Sequence, residues 1–539
     1  MNTGSIAAIP DRQTCVLRYM LDARAAETPN KAFAVFHGGP TWTYAELLQR
    51  VRCRAVALHA RGVRHGDRVL CWMGNSPDLL ISWFAINYLG AVYVPLNTGL
   101  RGRPLEHVLT NAQARLMIAH PMLCGRLDDI AHGSLTQVLT VGNLANNAAS
   151  VAGLNFAPLE DAPANSQECL ELAAPIEPWD AQAIMYTSGT TGMAKGVVSS
   201  YVQLYTMGPD AFDCISADDR CMIAGPIFHC GSTLYVYAML ACGGSIAMMA
   251  EFRTNEFWDA IRQTESTVVL LLGVMASFLL KQKPSPLDRD HTLEKVFIVP
   301  FGDDAPVFGE RFGVALHTVY NMTEIASPLS AGPGITQPGL CGRPRPWFEL
   351  RIADDHDNEL PIGQTGELLI RSHRPWALFS GYYGNAEATV QATRNGWFHT
   401  GDAFRRDDDG NFYFVDRLKD IIRRRGENIS SFELEGELCR HRAVKEAVVV
   451  AVPSEHSEDE VLAVVAAREG MQVDPEELTE YLATRLPHYM VPRYIRIVSE
   501  LPKTASGKLQ KHVLRGEGLT ADAWDRDQAG IRLTRDRLA

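Results

Sequence analysis

The 11 cysteines of this chain, scattered from Cys15 to Cys439, include no pair at CxxC spacing. That absence argues against a zinc ribbon or a dithiol redox motif. An odd count in a long chain fits reduced thiols, so a cytoplasmic setting is expected. Cys221, Cys230 and His229 read as small buried groups beside a pocket rather than as metal ligands. Positive charge is not in surplus either: 51 Lys and Arg face 63 Asp and Glu, a net charge of -12. This excludes a binder of nucleic-acid backbones, which needs a basic face, but not a nucleotide ligand, which needs only a local cluster of donors. The spacing GxxxxGK[ST] is missing, so the chain is not a P-loop NTPase. No apolar leader opens it, because Asp11, Arg12 and Arg18 interrupt the start, and no secretory signal is expected. Two stretches, 79–100 and 221–250, lack Asp, Glu, Lys and Arg and are long enough to span a bilayer. Asn87, Gly90, Pro95 and Asn97 break the first, and Gly225-Pro226, His229 and Gly243-Gly244 break the second. Each is better read as a buried helix followed by a buried strand, with no membrane span.

What is present is ordinary for a globular protein: 539 residues, 46% hydrophobic and 21% charged, enough for several cores. Thr43 followed by Glu46 has capping-box spacing, and 45–60 is apolar at helical intervals. Residues 67–73 predict a buried strand, 79–89 a helix and 91–95 another strand. Such alternation predicts a largely parallel sheet covered by helices. From about Phe348 short strands are expected at 348–353, 366–370 and 411–415, separated by turn clusters, as in a small all-β element. After Arg417 the order becomes helix 431–439, strands 447–452 and 461–467, helix 475–485 and strand 494–498, a compact α/β unit. The charge-rich tail beyond Leu514 is expected to be a solvated extension. The domains are placed at 1–417 and 418–539, and no internal repeat is visible.

The sharpest local feature is YTSGTTGMAKG at 186–196. Three glycines and four hydroxyl side chains, Thr187, Ser188, Thr190 and Thr191, can present backbone N–H groups and hydroxyls to a polyphosphate, and Lys195 adds charge. A strand rather than a helix is expected to follow. Six further motifs stand in sequence: PIFHCGS at 226–232, YNMTE at 320–324, GELLIRS at 366–372, WFHTGD at 397–402, DRLKDIIRRRGENIS at 416–430 and PKTASGK at 502–508.

In these seven motifs and in their order, over roughly 43–514, the chain resembles the adenylate-forming superfamily of acyl-CoA synthetases, luciferases and peptide-synthetase adenylation domains. The resemblance implies an α/β fold: a large N-terminal part of two doubly wound subdomains plus a small β-barrel, and a mobile smaller α+β C-terminal domain. It implies ATP, Mg²⁺ and coenzyme A. Thr187, Ser188, Gly189, Thr190, Thr191, Gly192 and Lys195 would hold the β- and γ-phosphates. Tyr320 would stack on adenine beside Asn321, Met322 and Thr323. Glu324, with Thr187, would meet the Mg²⁺, a hard cation that takes oxygen ligands. Asp402 would accept the ribose hydroxyls and Arg417 would reach ribose or phosphate oxygens. Lys508 would be the catalytic lysine and His229 the gate at the carboxylate end of the acyl group. Lys419 would be the hinge, and Gly426, Glu427 and Asn428 would approach the pantetheine tunnel after rotation.

Asn321 stands where the motif commonly has glycine, which points to a shorter or more polar acyl group than a long fatty chain. Residues 301–305 read FGDDA instead of the usual SGGAP and receive no role. Over 283–324, notably in PSPLDRDHTL and ERFGV, the chain looks most like crotonobetaine/carnitine-CoA ligases. The partners expected are a carboxylic acid, ATP and CoA, without nucleic acid, and a homodimer is compatible with the sequence. The alternatives are an enzyme that loads a carrier-protein thiol, one that oxidises its adenylate, or a non-catalytic nucleotide-binding paralogue. No carrier-like segment is recognisable, which favours free CoA. Lys508, Glu324, Asp402 and Arg417 are all present, which disfavours the paralogue.

Overall fold

The computed structural model describes residues 8–142, 151–163, 170–187, 193–302, 304–417, 421–424, 427–454, 458–502, 509 and 511–533. The helix Tyr44–Ala60 starts where its capping box predicts. The Thr43 hydroxyl accepts the Glu46 N–H at 3.2 Å, and the Glu46 carboxylate accepts the Thr43 N–H at 2.8 Å. Two of the four orphan N–H groups of that helix end are thereby satisfied.

One sheet runs in the order Asn155–Pro158, Gln137–Thr140, Leu116–Ala119, Arg68–Trp72, Val92–Pro95, Ala181–Thr187, Lys195–Ser200. All its pairings are parallel except the last, a hairpin in which Thr187 faces Lys195. The second sheet has a parallel centre: Ala32–Phe36, Ser245–Met248, Arg220–Ile223, Val268–Leu272, Lys295–Val299 and Ala315–Met322. Its strands alternate with helices, as expected.

The two units repeat one topology, although the sequence shows no repeat. In the first, Arg68–Trp72 lies between the next strand, Val92–Pro95, and the one after, Leu116–Ala119. In the second, Arg220–Ile223 lies between Ser245–Met248 and Val268–Leu272 in the same way. Such a reversal of strand order opens a crevice outside the carboxyl ends of the strands. After its first inner strand each unit sends in a helix, Pro77–Tyr88 or Cys230–Cys242, both buried almost all round. These helices account for the uncharged stretches, because a helix that is apolar on every face belongs in a core. Among the described residues no helix is long and apolar enough to cross a membrane.

The all-β element expected after Phe348 is present as antiparallel strands: Phe348–Ala353, Gly366–Ser372, Phe398–Arg406 and Phe412–Arg417. Through Leu340–Pro344 and Ala326–Ala331 they continue the second sheet. The C-terminal part has a hairpin, Ile421–Arg424 with Glu427–Ser430, and a separate sheet in the order Val444–Pro453, Asp459–Ala467, Tyr494–Val498, Trp524–Asp525.

Its last strand corrects one expectation. The tail is not wholly a solvated extension, because Trp524–Asp525 pairs with Tyr494–Val498. Asp525 meets Arg493 at 3.2 Å, and the buried Arg526 guanidinium donates to the Val491 carbonyl at 3.2 Å. Of the charges that made this segment look exposed, Asp525 and Arg526 are paired and buried, whereas Asp522 and Asp527 pair with Arg496 and Arg493 at the surface.

Candidate active site

The carboxyl edges of both parallel sheets open onto one cavity of about 1060 Å³. The first sheet contributes Gly74 and Asn75, then Leu96–Gly99; the second contributes Gly225–Pro226, Glu251–Phe252, Leu272 and Val299. Each group ends or closely follows a parallel strand, so topology places the cavity.

The hairpin Ala181–Thr187 and Lys195–Ser200 carries the Gly/Thr-rich loop at its tip, and the strand expected after the loop is there. Its base is fixed from the helix Gly102–Ala112. His107 Nε2 is 2.8 Å from the Ala194 carbonyl, and the Tyr186 hydroxyl donates to Asn111 at 2.7 Å. Thr187 and Lys195 line the cavity, and Lys195 Nζ lies 4.8 Å from the centre of the Tyr382 ring. Ser188, Gly189, Thr190, Thr191 and Gly192 lie outside the described residues.

Glu324 is buried at the cavity wall and accepts the Tyr382 hydroxyl at 3.0 Å. Burial, then the Glu324 carboxylate, push the Tyr382 phenol well above its ordinary range, so it remains a donor. The neighbouring Thr323 is held twice: Gln203 donates to its carbonyl at 2.8 Å, and its hydroxyl lies 3.3 Å from the Cys230 sulfur. Burial pushes the Cys230 thiol up to about 11, so it is a neutral wall group at pH 7.

Asp402 is buried in Phe398–Arg406 and takes the Tyr320 hydroxyl at 2.8 Å. Here the structure departs from expectation. Asp402 lines the cavity, but Tyr320 does not; its ring is packed edge-on to Phe404, with centroids 4.9 Å apart. The next residues in that strand, Asn321 and Met322, do reach the wall.

Next to Asp402, Glu367 accepts from the Gly401 N–H at 2.9 Å and lies 3.0 Å from His399 Nδ1. Burial alone would raise the Glu367 carboxyl, but His399, the Gly401 N–H and Arg394 outweigh it and hold the group below its ordinary value.

His229 ends the loop 225–229. That loop is tied down by Asn75, whose amide donates to the Gly225 carbonyl at 2.9 Å and accepts the Ile227 N–H at 3.0 Å. A Cβ at Gly225 would sit 2.6 Å from the Ser232 hydroxyl oxygen, so the close packing of this turn requires glycine. Across the cavity His229 Nε2 lies 2.9 Å from the Glu427 carboxylate. The C-terminal part thus closes one side, with Arg423, Glu427 and 486–490 in the wall. Tyr489 is bonded to Asn97 at 3.0 Å. Behind it the buried Arg424 pairs with Glu460 and donates to the carbonyls of Tyr489 and Val491 at 3.0 and 2.8 Å.

Of the residues singled out from sequence, Thr187, Lys195, His229, Asn321, Met322, Thr323, Glu324, Asp402 and Glu427 share this one cavity. Lys419, Gly426 and Lys508, and the side chains of Arg417 and Asn428, lie outside the described residues. Sequence reasoning missed Tyr382, Gln203, Asn75 and the 486–490 loop, which no motif marks. It also passed over Glu367 and His399, although both stand inside motifs it had noted.

A Mg²⁺ fits this donor set. Among the described residues no three His, Cys, Asp or Glu side chains form a metal cage. One carboxylate, Glu324, and the Thr187 hydroxyl suit an ion held mainly by substrate phosphates and water.

Comparison with known proteins agrees with the motifs. The model of the AMP-binding enzyme family matches residues 21–383, and that of the AMP-binding enzyme C-terminal domain matches 433–508. A crotonobetaine/carnitine–CoA ligase of Salmonella paratyphi A is 31% identical over 513 residues, covering 93% of this chain and 98% of the relative. Among solved structures, the amide bond synthetase McbA from Marinactinospora thermotolerans is 27% identical with a TM-score of 0.79, covering 92% of this chain and 99% of that one. ATP-bound MatB from Rhodopseudomonas palustris is also 27% identical, with a TM-score of 0.62 and coverage of 92% and 98%.

Proposed function

Since the chain belongs to the AMP-binding, adenylate-forming family of acyl-CoA ligases, we propose that it activates a short, medium or polar carboxylic acid with ATP and transfers the acyl group to CoA. Carnitine-like acids fall within that class. One observation carries the reading: Thr187, Lys195, Glu324, Asp402 and His229, far apart in sequence, line one cavity.

In the first step a carboxylate oxygen of the acid attacks the α-phosphorus of ATP. The bond from that phosphorus to the oxygen bridging to the β-phosphate breaks, and pyrophosphate leaves. Catalysis here is positioning and charge stabilisation rather than nucleophilic attack by a side chain. Lys195 and the loop after Thr187 hold the β- and γ-phosphates, Asp402 holds the ribose, and Lys508 steadies the charge passing between carboxylate and phosphate. Glu324 and Thr187 would hold the Mg²⁺, which neutralises phosphate charge when bound. Tyr320 supports this end by orienting Asp402, and adenine stacking would require its ring to emerge.

In the second step the CoA thiol loses its proton and its sulfur bonds to the acyl carbon. The bond from that carbon to the AMP oxygen breaks, and AMP leaves. The C-terminal domain, 418–539, is mobile in this reading and turns about Lys419, so that Lys508 leaves and Gly426, Glu427 and Asn428 approach the thiol. The contact of Glu427 with His229 suits this second arrangement. The free thiols of the described cysteines go with a reducing, cytoplasmic setting.

Pyrophosphate release tests the proposal, measured with carnitine-like, short-chain, branched, aromatic and long-chain acids, with and without CoA. Acid-dependent release, with thioester only when CoA is present, is expected. Activity on long-chain fatty acids alone contradicts the substrate class. Thioester on a carrier protein but never on CoA changes the acceptor. No release with any acid leaves a non-catalytic nucleotide binder.

A further inference from the structure

The inner arm of the cavity is apolar, walled by Phe228, Leu270, Leu272, Met275, Phe278 and Val299. These side chains gather because Leu272 and Val299 end adjacent parallel strands in register, and the helix Gly273–Leu280 follows directly. Ala315–Met322 is the next strand, and its last residues reach the same edge.

One polar side chain interrupts this wall. Between Tyr320 and Met322 the ladder with Ala326–Ala331 shifts register, the extra residue falling on the partner strand, and Asn321 is left out of the pairing. Tyr320 turns toward Asp402 and away from the cavity, whereas Asn321 lines it. Successive residues of an extended strand point to opposite faces.

Two other asparagines on this cavity have internal duties. Asn75 bonds the carbonyls of Gly225 and Met249 and the Ile227 N–H; Asn97 bonds Tyr489 and the Gly99 N–H. Among the described residues the Asn321 carboxamide has no protein partner. A half-buried amide with two donors and an acceptor, set in an apolar wall, is satisfied only by what enters.

Six carboxylates also line the cavity: Glu251 meets Arg253, Glu324 meets Tyr382, Asp402 meets Tyr320, Glu367 meets His399, Glu427 meets His229, and Asp355 is exposed; none belongs to the strand ends and helix that wall the apolar arm. A cationic acyl tail entering the apolar arm would therefore be buried without a counter-charge.

Building on the ligase reading, we infer that Asn321 is a specificity-determining residue. It selects an acid with an apolar body that carries one neutral oxygen substituent, a hydroxyl or oxo group, placed to hydrogen-bond this amide. Acids with a charged far end are refused, which narrows the class away from carnitine itself. An acid lacking the substituent leaves the amide unpaired in the closed site, and sites built on such a bond discriminate strongly against the deoxy analogue.

The test uses matched pairs of acids: butyrate with 3-hydroxybutyrate and 3-oxobutyrate, hexanoate with 3-hydroxyhexanoate, and benzoate with 3- and 4-hydroxybenzoate, with carnitine as the cation. kcat/KM for pyrophosphate release is measured for the natural protein, Asn321→Gly and Asn321→Ala. The natural protein should favour the oxygenated member of at least one pair by about 10–100-fold and rank carnitine below both. In the variants that ratio should shrink to within about threefold.

No preference in any pair overturns the inference. So does a loss shared equally by both members, or one expressed in the KM for ATP, which would assign Asn321 to the nucleotide. A preference for carnitine overturns the exclusion of cations. If no acid supports pyrophosphate release, the ligase reading falls instead, and calorimetric titration of the same pairs into the natural protein and Asn321→Ala decides the role of Asn321 directly.

Discussion

The two ends of the cavity are built on different principles. At the end proposed for the nucleotide, polar groups are tied to one another before any ligand arrives: Tyr382 to Glu324, Tyr320 to Asp402, and His399 and the Gly401 N–H to Glu367. At the end proposed for the acyl group the wall is apolar, and the Asn321 amide is left without a protein partner among the described residues. Preorganised donors and acceptors suit charge that develops at a fixed place in every turnover. An apolar arm with a single polar point suits choosing among acids. A chain can therefore keep the first end and alter the second, changing substrate without changing chemistry.

The largest effect should come from Lys508, the group proposed to meet the moving charge. Lys508→Ala should slow adenylation by about 10²–10³-fold or more. Preformed acyl-adenylate plus CoA should restore thioester formation, and single-turnover release of pyrophosphate checks both. A normal adenylation rate in this variant would remove the lysine from the nucleotide end altogether.

Next in size is the support of the wall that closes over both ends. Arg424→Met strands the buried Glu460 carboxylate and unties Tyr489 and Val491. It should destabilise the C-terminal sheet by about 3–5 kcal/mol, and Arg424→Met with Glu460→Leu should recover most of that loss. Denaturation followed at Trp524 reads it.

A smaller change separates the two steps. Glu427→Gln weakens the contact with His229 and should slow thioester formation about tenfold more than adenylation, since a hydrogen bond to a charged group contributes about 1.5–3 kcal/mol. Quenched-flow comparison of pyrophosphate and thioester resolves the ratio. Equal slowing of both steps would place Glu427 in neither arrangement specifically.

The smallest effect is on acid stability. The folded Glu367 carboxyl sits below its ordinary value of 4.5, so its contribution is present above that pH and is lost as pH falls through the lower folded value. Glu367→Gln should flatten that part of the stability-pH curve. An unchanged acid limb would mean that the His399 contact does not hold in solution.

What sequence made legible follows the same division. Thr187, Lys195, Glu324, Asp402 and His229 stand in short motifs, and the structure brings these five to one cavity. The capping box at Thr43 and the strand Phe348–Ala353 were readable because both are local patterns. Tyr382, Gln203 and Asn75 were not, because each acts across the fold, on Glu324, Thr323 and Gly225 respectively. The acyl arm comes from strand ends and one helix, where Leu272, Met275 and Val299 look like any other core residues. Only the cavity lining reveals where Asn321 points. The strand Trp524–Asp525 was hidden because its partners, Arg493 and Val491, lie some thirty residues away and its own composition reads as solvated.

The most direct measurement follows an oxygen atom. If the acid is supplied with ¹⁸O in its carboxylate and turned over with ATP and CoA, an acyl-adenylate intermediate leaves one labelled oxygen on the phosphorus of AMP. That label, formed with pyrophosphate and thioester, is the result expected. Unlabelled AMP, or ADP and phosphate as products, would contradict adenylation at this site.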